Sequence, residues 1–86
     1  MAKYKITVKK SAAKELEDIP KKDLQKIIKR IQSLAQNPRP HRAQKLSGQQ
    51  HFRVRQGDYR IIYSIDDKDL VVDIVKIGHR REIYRF

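Results

Sequence analysis

The sequence predicts an α+β fold, in which an antiparallel helix hairpin packs on one face of a small sheet. Two observations predict it. A short alternating segment near the start is followed, up to residue 36, by apolar side chains at helical spacing. From residue 51 onwards the apolar residues recur with a period of two, which is typical of strands with one buried face. Helices followed by a run of strands are typical of an α+β domain.

The first half of the chain predicts one strand and two helices. The alternating segment 4–8 is predicted to be the strand, and Ser11 is predicted to cap a short helix ending near residue 19. Pro20 suits the first turn of a second helix, which the Asn-Pro-Arg-Pro segment 37–40 ends. One face of this helix is apolar, and lysine and arginine fill most of the other face. The apolar positions are Leu24, Ile27, Ile28, Ile31, Leu34 and Ala35.

The second half predicts a three-stranded antiparallel meander, preceded by a basic loop over residues 37–50. Gly57 lies in the first turn, and the second turn is polar. The strands are predicted at 51–56, 59–65 and 70–77. The last strand is apolar on both faces, so we expect it inside the sheet. Together with the N-terminal strand this gives a four-stranded sheet covered on one face by the helices.

Length and charge limit the classes of function. With 86 residues the chain is predicted to form a single domain, 1–86. Its 21 lysines and arginines against 10 acidic residues give a net charge of +11, which favours a polyanionic or acidic partner. Nucleic acid is the first candidate, an anionic membrane the second and an acidic protein the third. A protein that is merely soluble and basic is the alternative.

Other features of the composition favour the cytoplasm. The chain contains no cysteine, which excludes disulfide bonds and thiolate metal sites. Its start does not resemble a signal peptide, and no run approaches the ~18 apolar residues of a membrane span.

Basic side chains are predicted to gather on the sheet face that the helices leave open. Because Phe52 and Val54 are predicted to face the helices, period two directs their neighbours His51, Arg53 and Arg55 to the opposite face. Further basic residues follow on the next strands: Arg60, His79, Arg80 and Arg81. Guanidinium groups match phosphate oxygens and stay charged at any working pH, so this cluster predicts a phosphate site. A solvated face with scattered charges is the alternative.

Aromatic and imidazole side chains extend this interpretation. Tyr84 can stack on a splayed RNA base, or it can pack on the sheet edge as part of the core. His41, His51 and His79 titrate near neutrality and are candidates for acid–base chemistry, although each can also be structural. The histidines lie on separate segments and arginines repel cations, so no metal site is predicted.

Three strings in the sequence are distinctive: Lys45-Leu46-Ser47-Gly48, GDYR-x-x-Y at 57–63 and GHRR-x-x-Y at 78–84. They resemble motifs of the RelE/ParE toxin superfamily, and the resemblance covers essentially the whole chain. Basic residues and a C-terminal tyrosine at the matching places indicate the RelE-like branch. Such toxins cut mRNA in the A site of the 30S subunit. They need no metal or other cofactor, and the RNA's own 2′-hydroxyl is the nucleophile.

The resemblance also implies roles for individual residues. Arg60 and Arg80 would bind and neutralise the scissile phosphate, with Arg80 assisting the leaving 5′-oxygen, and Tyr84 would stack beside the cut. Arg53 and His51 match positions where lysine occurs. The remaining expected substrate contacts are Arg55, His79, Arg81 and Lys45.

The departures from the family pattern leave the proton acceptor open. An arginine does not readily give up its proton, so Arg53 is a poor general base. The alternatives are His51, His79, or a mechanism that relies mainly on electrostatics and substrate alignment.

The family further implies a cognate acidic antitoxin, mRNA on the ribosome as substrate, and no membrane partner. Two other functions remain open, a ParE-like inhibitor of DNA gyrase and an RNA-binding module without catalysis. Alanine at Arg60, Arg80 or Tyr84 distinguishes them, because it should abolish toxicity only if the protein is a nuclease.

Overall fold

A computed structural model of the chain describes residues 3–46 and 50–79, in which an α+β fold is observed. The elements are β1 (Lys5–Val8), α1 (Lys10–Glu17), α2 (Lys21–Gln36), β2 (Gln44–Lys45), β3 (His51–Gln56), β4 (Tyr59–Asp66) and β5 (Val71–His79). The predicted fold class is therefore confirmed. No helix within these two ranges is long and apolar enough to cross a membrane.

The strands form one mixed sheet in the order β1-β5-β4-β3-β2, with β4 in the centre. β1 pairs with β5 in parallel, and the other three pairings are antiparallel. The sheet has five strands instead of the predicted four, because Gln44 and Lys45 add a two-residue edge strand beside β3. Both residues are exposed and polar, so no apolar alternation marks this strand in the sequence.

Both helices pack on one face of the sheet, as predicted. The buried cluster contains Ala12, Ile19, Ile27, Ile31 and Leu34 from the helical half and Val54, Ile61, Tyr63, Val72, Ile74 and Ile77 from the strands. Phe52 packs against this cluster, so the helix-facing side of β3 is also confirmed.

The first helix begins differently from the prediction. α1 starts at Lys10 after the N-cap residue Lys9, and no side chain caps it. Ser11 therefore lies inside the helix, and the predicted cap is wrong. The backbone N–H of Lys9 donates to the carbonyl of Ile74 at 2.9 Å, so the chain leaves the sheet and enters the helix without an intervening loop.

A bulge in β5 explains why this strand is apolar on both faces. The β4–β5 register shifts between Ile62 and Tyr63 and leaves Val75 without an opposite residue. Ile74 and Ile77 are three positions apart, yet both belong to the helix-side core. With strict alternation, Ile74 and Ile77 would lie on opposite faces of the sheet. The extra residue, Val75, allows both to lie on the helix side.

Glu15 of α1 covers the part of the β5 edge that lies beyond β1. Its carboxylate accepts hydrogen bonds from the backbone N–H of Ile77 at 3.0 Å and from Nζ of Lys76 at 2.9 Å. An uncovered strand edge is a template for pairing with other chains, so this contact protects the sheet.

Tyr63 links the central strand to the loop after α2. Its side chain is fully buried, and its hydroxyl donates to the carbonyl oxygen of Pro38 at 2.8 Å. Burial disfavours the phenolate and raises the pKa of Tyr63 to about 12.

We expect Tyr63→Phe to lower the free energy of unfolding by about 1–2 kcal/mol at pH 7, because it leaves the buried Pro38 carbonyl without its donor. Urea unfolding measures this. In the wild type, the stability linked to the raised pKa is present below about pH 10 and is lost as the pH rises towards 12. The phenylalanine variant should lack this alkaline loss, and equal midpoints for the two proteins at pH 7 and pH 11 would contradict the assignment.

Candidate functional site

A row of basic side chains lies on the sheet face away from the helices. His51, Arg53 and Arg55 occupy alternate positions of β3, and Val54 between the two arginines is in the helix-side core. Alternate residues of a strand share a face and are roughly 7 Å apart. The two arginines can therefore act together on one chain of phosphates.

The neighbouring strand adds a third arginine directly beside this row. Arg60 of β4 is the cross-strand partner of Arg55, and on its other side it faces Gly78 of β5. Like charges directly opposite each other destabilise a sheet by about 0.2–1 kcal/mol. The pair concentrates positive charge at one place on this face, and an anion such as a phosphate group is a chemically matched ligand for it.

Arg60 is buried, with 5% of its surface exposed, although it was predicted to lie on an open face. Ile62, two residues further along β4, is 2% exposed and lies outside the helix-side cluster. Both side chains belong to the central strand β4, and their low exposure shows that the middle of this face is shielded from solvent instead of open. That part of the prediction is wrong.

The short edge strand β2 separates two neighbouring residues. Gln44 is opposite Arg53, and its Oε1 accepts a hydrogen bond from the Arg53 guanidinium. Lys45 is opposite Phe52 and therefore lies on the other side of the sheet. The structure thus places Gln44, and not the predicted Lys45, beside the arginines.

Arg42, from the loop before β2, completes a basic cleft at this edge. The cleft has a volume of about 320 Å³ and is lined by Arg42, Gln44, Arg53 and Arg55. None of these described lining residues is acidic. Their donors can bind an anion of the size of a phosphate group.

An ion pair fixes the loop that carries Arg42. The Arg39 guanidinium donates to both carboxylate oxygens of Asp67, at 3.2 and 2.8 Å, and the Tyr4 hydroxyl donates to the same carboxylate at 2.7 Å. These contacts lower the pKa of Asp67 to about 2. Their contribution to stability is therefore present above about pH 4 and is lost as the pH falls towards 2. Arg39 also lies over the ring of Phe52, 5.6 Å from its centroid.

His79 lies on the opposite side of the sheet from the arginine row. It pairs with Tyr59, which packs against the helix-side core, and the two rings are edge to face at 5.7 Å. It lines a cleft of about 300 Å³ together with Glu15 and Asp18 of the α1 region. Of the two candidate proton acceptors within the described residues, His51 is therefore the one that shares a face with Arg53.

Three predicted site residues, Arg80, Arg81 and Tyr84, lie outside the described residues. Within residues 3–46 and 50–79, no three His, Asp or Glu side chains come together as a group that could hold a metal ion.

Comparison with known proteins gives a consistent family. The sequence profile described as "ParE toxin of type II toxin-antitoxin system, parDE" matches residues 6–84. The putative toxin RelE1 of Methanocaldococcus jannaschii is 31% identical over 87 aligned positions, which cover 96% of this chain and 97% of that protein. The chain belongs to the RelE/ParE toxin superfamily.

Solved structures agree with this assignment and favour the RelE-like branch. The archaeal RelE–RelB complex of Pyrococcus horikoshii OT3 contains a chain with a TM-score of 0.82 and 32% identity, covering 95% of this chain and 99% of that one. A chain of the RelBE2 toxin–antitoxin complex of Mycobacterium tuberculosis gives a TM-score of 0.81 and 26% identity, with coverages of 91% and 99%. This chain is therefore a RelE-family toxin of a type II toxin–antitoxin system.

Within this RelE-like toxin, sequence reasoning missed two residues of the basic cleft, Arg42 and Gln44. The sequence does show the positive charge of Arg42. The position of the loop, however, depends on the pairing of Arg39 with Asp67, 28 residues away. No periodic pattern signals such a contact. Gln44 is uncharged, and only its register with Arg53 identifies it.

Proposed function

We propose that this toxin is an endoribonuclease that cuts mRNA in the A site of the 30S subunit and thereby inhibits translation in the cytoplasm. The RNA's own 2′-hydroxyl is the nucleophile, and no metal or other cofactor takes part. The proposal extends the family assignment to a substrate and a reaction.

The cross-strand pair of Arg55 and Arg60 is the observation that supports this function best. The pairing places two guanidinium groups side by side on one sheet face, and Arg53 lies two residues from Arg55 on the same face. A phosphodiester bound beside them carries a negative charge, which increases when the 2′-oxygen attacks. Groups placed in advance around that charge stabilise the transition state more than the substrate.

The reaction divides among residues as follows. The 2′-hydroxyl gives its proton to His51 and bonds to phosphorus, and the bond from phosphorus to the 5′-oxygen breaks. A 2′,3′-cyclic phosphate and a 5′-hydroxyl result, the latter after the leaving oxygen takes a proton from solvent. Arg60 and Arg80 neutralise the phosphate, and Arg80 also stabilises the leaving oxygen.

His51 is favoured as the proton acceptor because it is half-buried on the same face as Arg53, whereas His79 faces the helices. Tyr84 stacks on a base next to the cut, and Arg81 adds a phosphate contact. These last two roles, like that of Arg80, rest on the resemblance of GHRR-x-x-Y to the family motif.

An acidic antitoxin is the proposed partner. The net charge of +11 favours an acidic, flexible segment lying across the basic surface. The related chain of Pyrococcus horikoshii OT3 was solved as a RelE–RelB complex, which supports the same arrangement.

Inhibition of DNA gyrase is the second candidate function, because the matching family profile is named for ParE toxins. This function needs a protein-binding surface and no phosphate chemistry. Substitutions in the arginine row should then have little effect on toxicity.

Cleavage of mRNA on programmed ribosomes tests the proposal. We expect cuts within the A-site codon for wild type, at least ten-fold slower cuts for Arg53→Ala, and wild-type rates for Lys14→Ala, which removes the same charge from the exposed side of α1. A supercoiling assay with purified gyrase runs in parallel. Intact mRNA together with inhibited gyrase would replace the proposed function by the second candidate.

A further inference from the structure

The basic cleft at the β2 edge extends beyond the residues that the reaction uses. Arg42 and Arg55 are exposed, and within residues 3–46 and 50–79 neither forms an ion pair with a carboxylate. A volume of about 320 Å³ is at the lower end of the range for ligand clefts in proteins. The cleft therefore has room for a phosphate group and part of its sugar.

Gln44 gives this cleft a neutral donor next to its cations. Its Oε1 is occupied by the Arg53 guanidinium, which leaves the two N–H bonds of its amide to donate elsewhere. An amide donor between guanidinium groups suits a phosphate or ribose oxygen.

The loop that presents Arg42 is fixed before any ligand binds. Its start is fixed by the ion pair of Arg39 with Asp67 and by the hydrogen bond from Tyr63 to Pro38. Its end is fixed by the hydrogen bond from the backbone N–H of Ala43 to the carbonyl of Pro40 at 2.9 Å. A preordered loop loses little conformational entropy when it binds, so its contacts contribute more to affinity.

We propose that Arg42 and Gln44, together with the outer side of Arg53 and Arg55, form a second phosphate site, which binds the RNA backbone next to the scissile phosphate. Asp67 acts as a positioning residue for this site through Arg39. The inference rests on the proposed function for its substrate, and it adds two binding residues, Arg42 and Gln44, that take no part in bond cleavage.

Binding of a single-stranded RNA that carries 2′-O-methyl groups at every ribose tests the site without cleavage. Fluorescence anisotropy is measured with the full chain at several salt concentrations. We expect Arg42→Ala to weaken binding roughly five-fold at low salt and to reduce the salt dependence by about 0.7 in the slope of log K against log[salt], the value for one lost phosphate contact on a single strand. Arg42→Lys should keep the slope, and Lys14→Ala should match wild type in both readouts.

Positioning by Asp67 is tested by a double-mutant cycle. Asp67→Asn should weaken binding about two-fold, and Arg42→Ala should then have a smaller effect than it has in the wild type, because an unanchored loop presents Arg42 poorly. Circular dichroism checks that each variant is folded. Additive effects of the two substitutions would overturn the positioning role.

The remaining outcomes separate this site from the proposed function. An Arg42→Ala variant that binds RNA with wild-type affinity and slope would overturn the site, even if ribosomal cleavage is observed. Arg42-dependent RNA binding without any cleavage would support the site while the nuclease proposal fails. Tighter, Arg42-dependent binding of a polyglutamate peptide than of RNA would overturn it in favour of an acidic protein segment.

Discussion

Replacing Arg60 by methionine is expected to slow mRNA cleavage on programmed ribosomes by about 100- to 1,000-fold, the usual effect of removing one group that stabilises transition-state charge. Arg60 has 5% of its surface exposed, and charges act more strongly in such poorly solvated places than in water. Methionine fills a similar volume without the charge. Single-turnover kinetics with mapped cleavage products measure the change.

Arg30→Met is the matched control for this prediction. Arg30 of α2 donates to Gln56 on the helix side of β3, so the same substitution removes a charge from the other side of the sheet. It should leave the rate of cleavage within two-fold of wild type, and Arg60→Lys should recover part of the activity lost in Arg60→Met. Thermal unfolding of each variant shows whether loss of activity merely follows loss of fold. Wild-type cleavage by a folded Arg60→Met protein would exclude Arg60 from the site.

Replacing Ile27 by alanine is expected to lower the free energy of unfolding by about 2–5 kcal/mol, a large part of the ~5–15 kcal/mol that stabilises a small domain. Ile27 is completely buried between α2 and the sheet, so the substitution leaves a cavity in the single cluster that joins the helices to the strands. Urea unfolding monitored by circular dichroism gives the value.

The neighbouring residue is an internal control. Ile28 is 40% exposed at the margin of the apolar stripe of α2, and Ile28→Ala should change the free energy of unfolding by less than about 1 kcal/mol. Equal effects of the two substitutions would mean that α2 packs with a different face.

The two isoleucines also show what the sequence can and cannot predict about the core. The spacing of apolar residues placed both in the apolar stripe of the second helix. The stripe is broad enough to bury Ile27 fully while Ile28 lies at its margin. The helical period predicts well which side of a helix is buried. It predicts poorly which residues at the edge of that side are covered, because this depends on the neighbouring elements.

The sheet was predictable where alternation is strict. In β3 the alternation of Phe52 and Val54 with basic residues correctly indicated which side faces the helices. In β5 the bulge at Val75 interrupts the alternation, so the sequence alone did not indicate which side of this strand faces the helices. The parallel pairing of β1 with β5 joins segments more than 60 residues apart, and local patterns carry no signal for it.

The geometry of the candidate site was predictable only in part. Clustered arginines indicated a phosphate site, and the structure brings Arg53, Arg55 and Arg60 to one face. Lys45 and His79, however, lie on the other side of the sheet. The side on which a residue lies depends on the register of its strand. In a two-residue strand or at the end of a strand, tertiary contacts set this register. Arg42 likewise reaches the cleft through a tertiary contact, the ion pair of Arg39 with Asp67.

The central claim is that the RNA's own 2′-hydroxyl cuts the chain, and a message with one 2′-deoxyribose tests it most directly. Ribosomes are programmed with two messages that differ only in this sugar, at the nucleotide 5′ to the cut in the A-site codon. We expect the all-ribose message to be cut there, with a 2′,3′-cyclic phosphate and a 5′-hydroxyl at the new ends, and the deoxy message to remain intact at that position. Equal cleavage of both messages, or no cleavage of either, would contradict the proposed function.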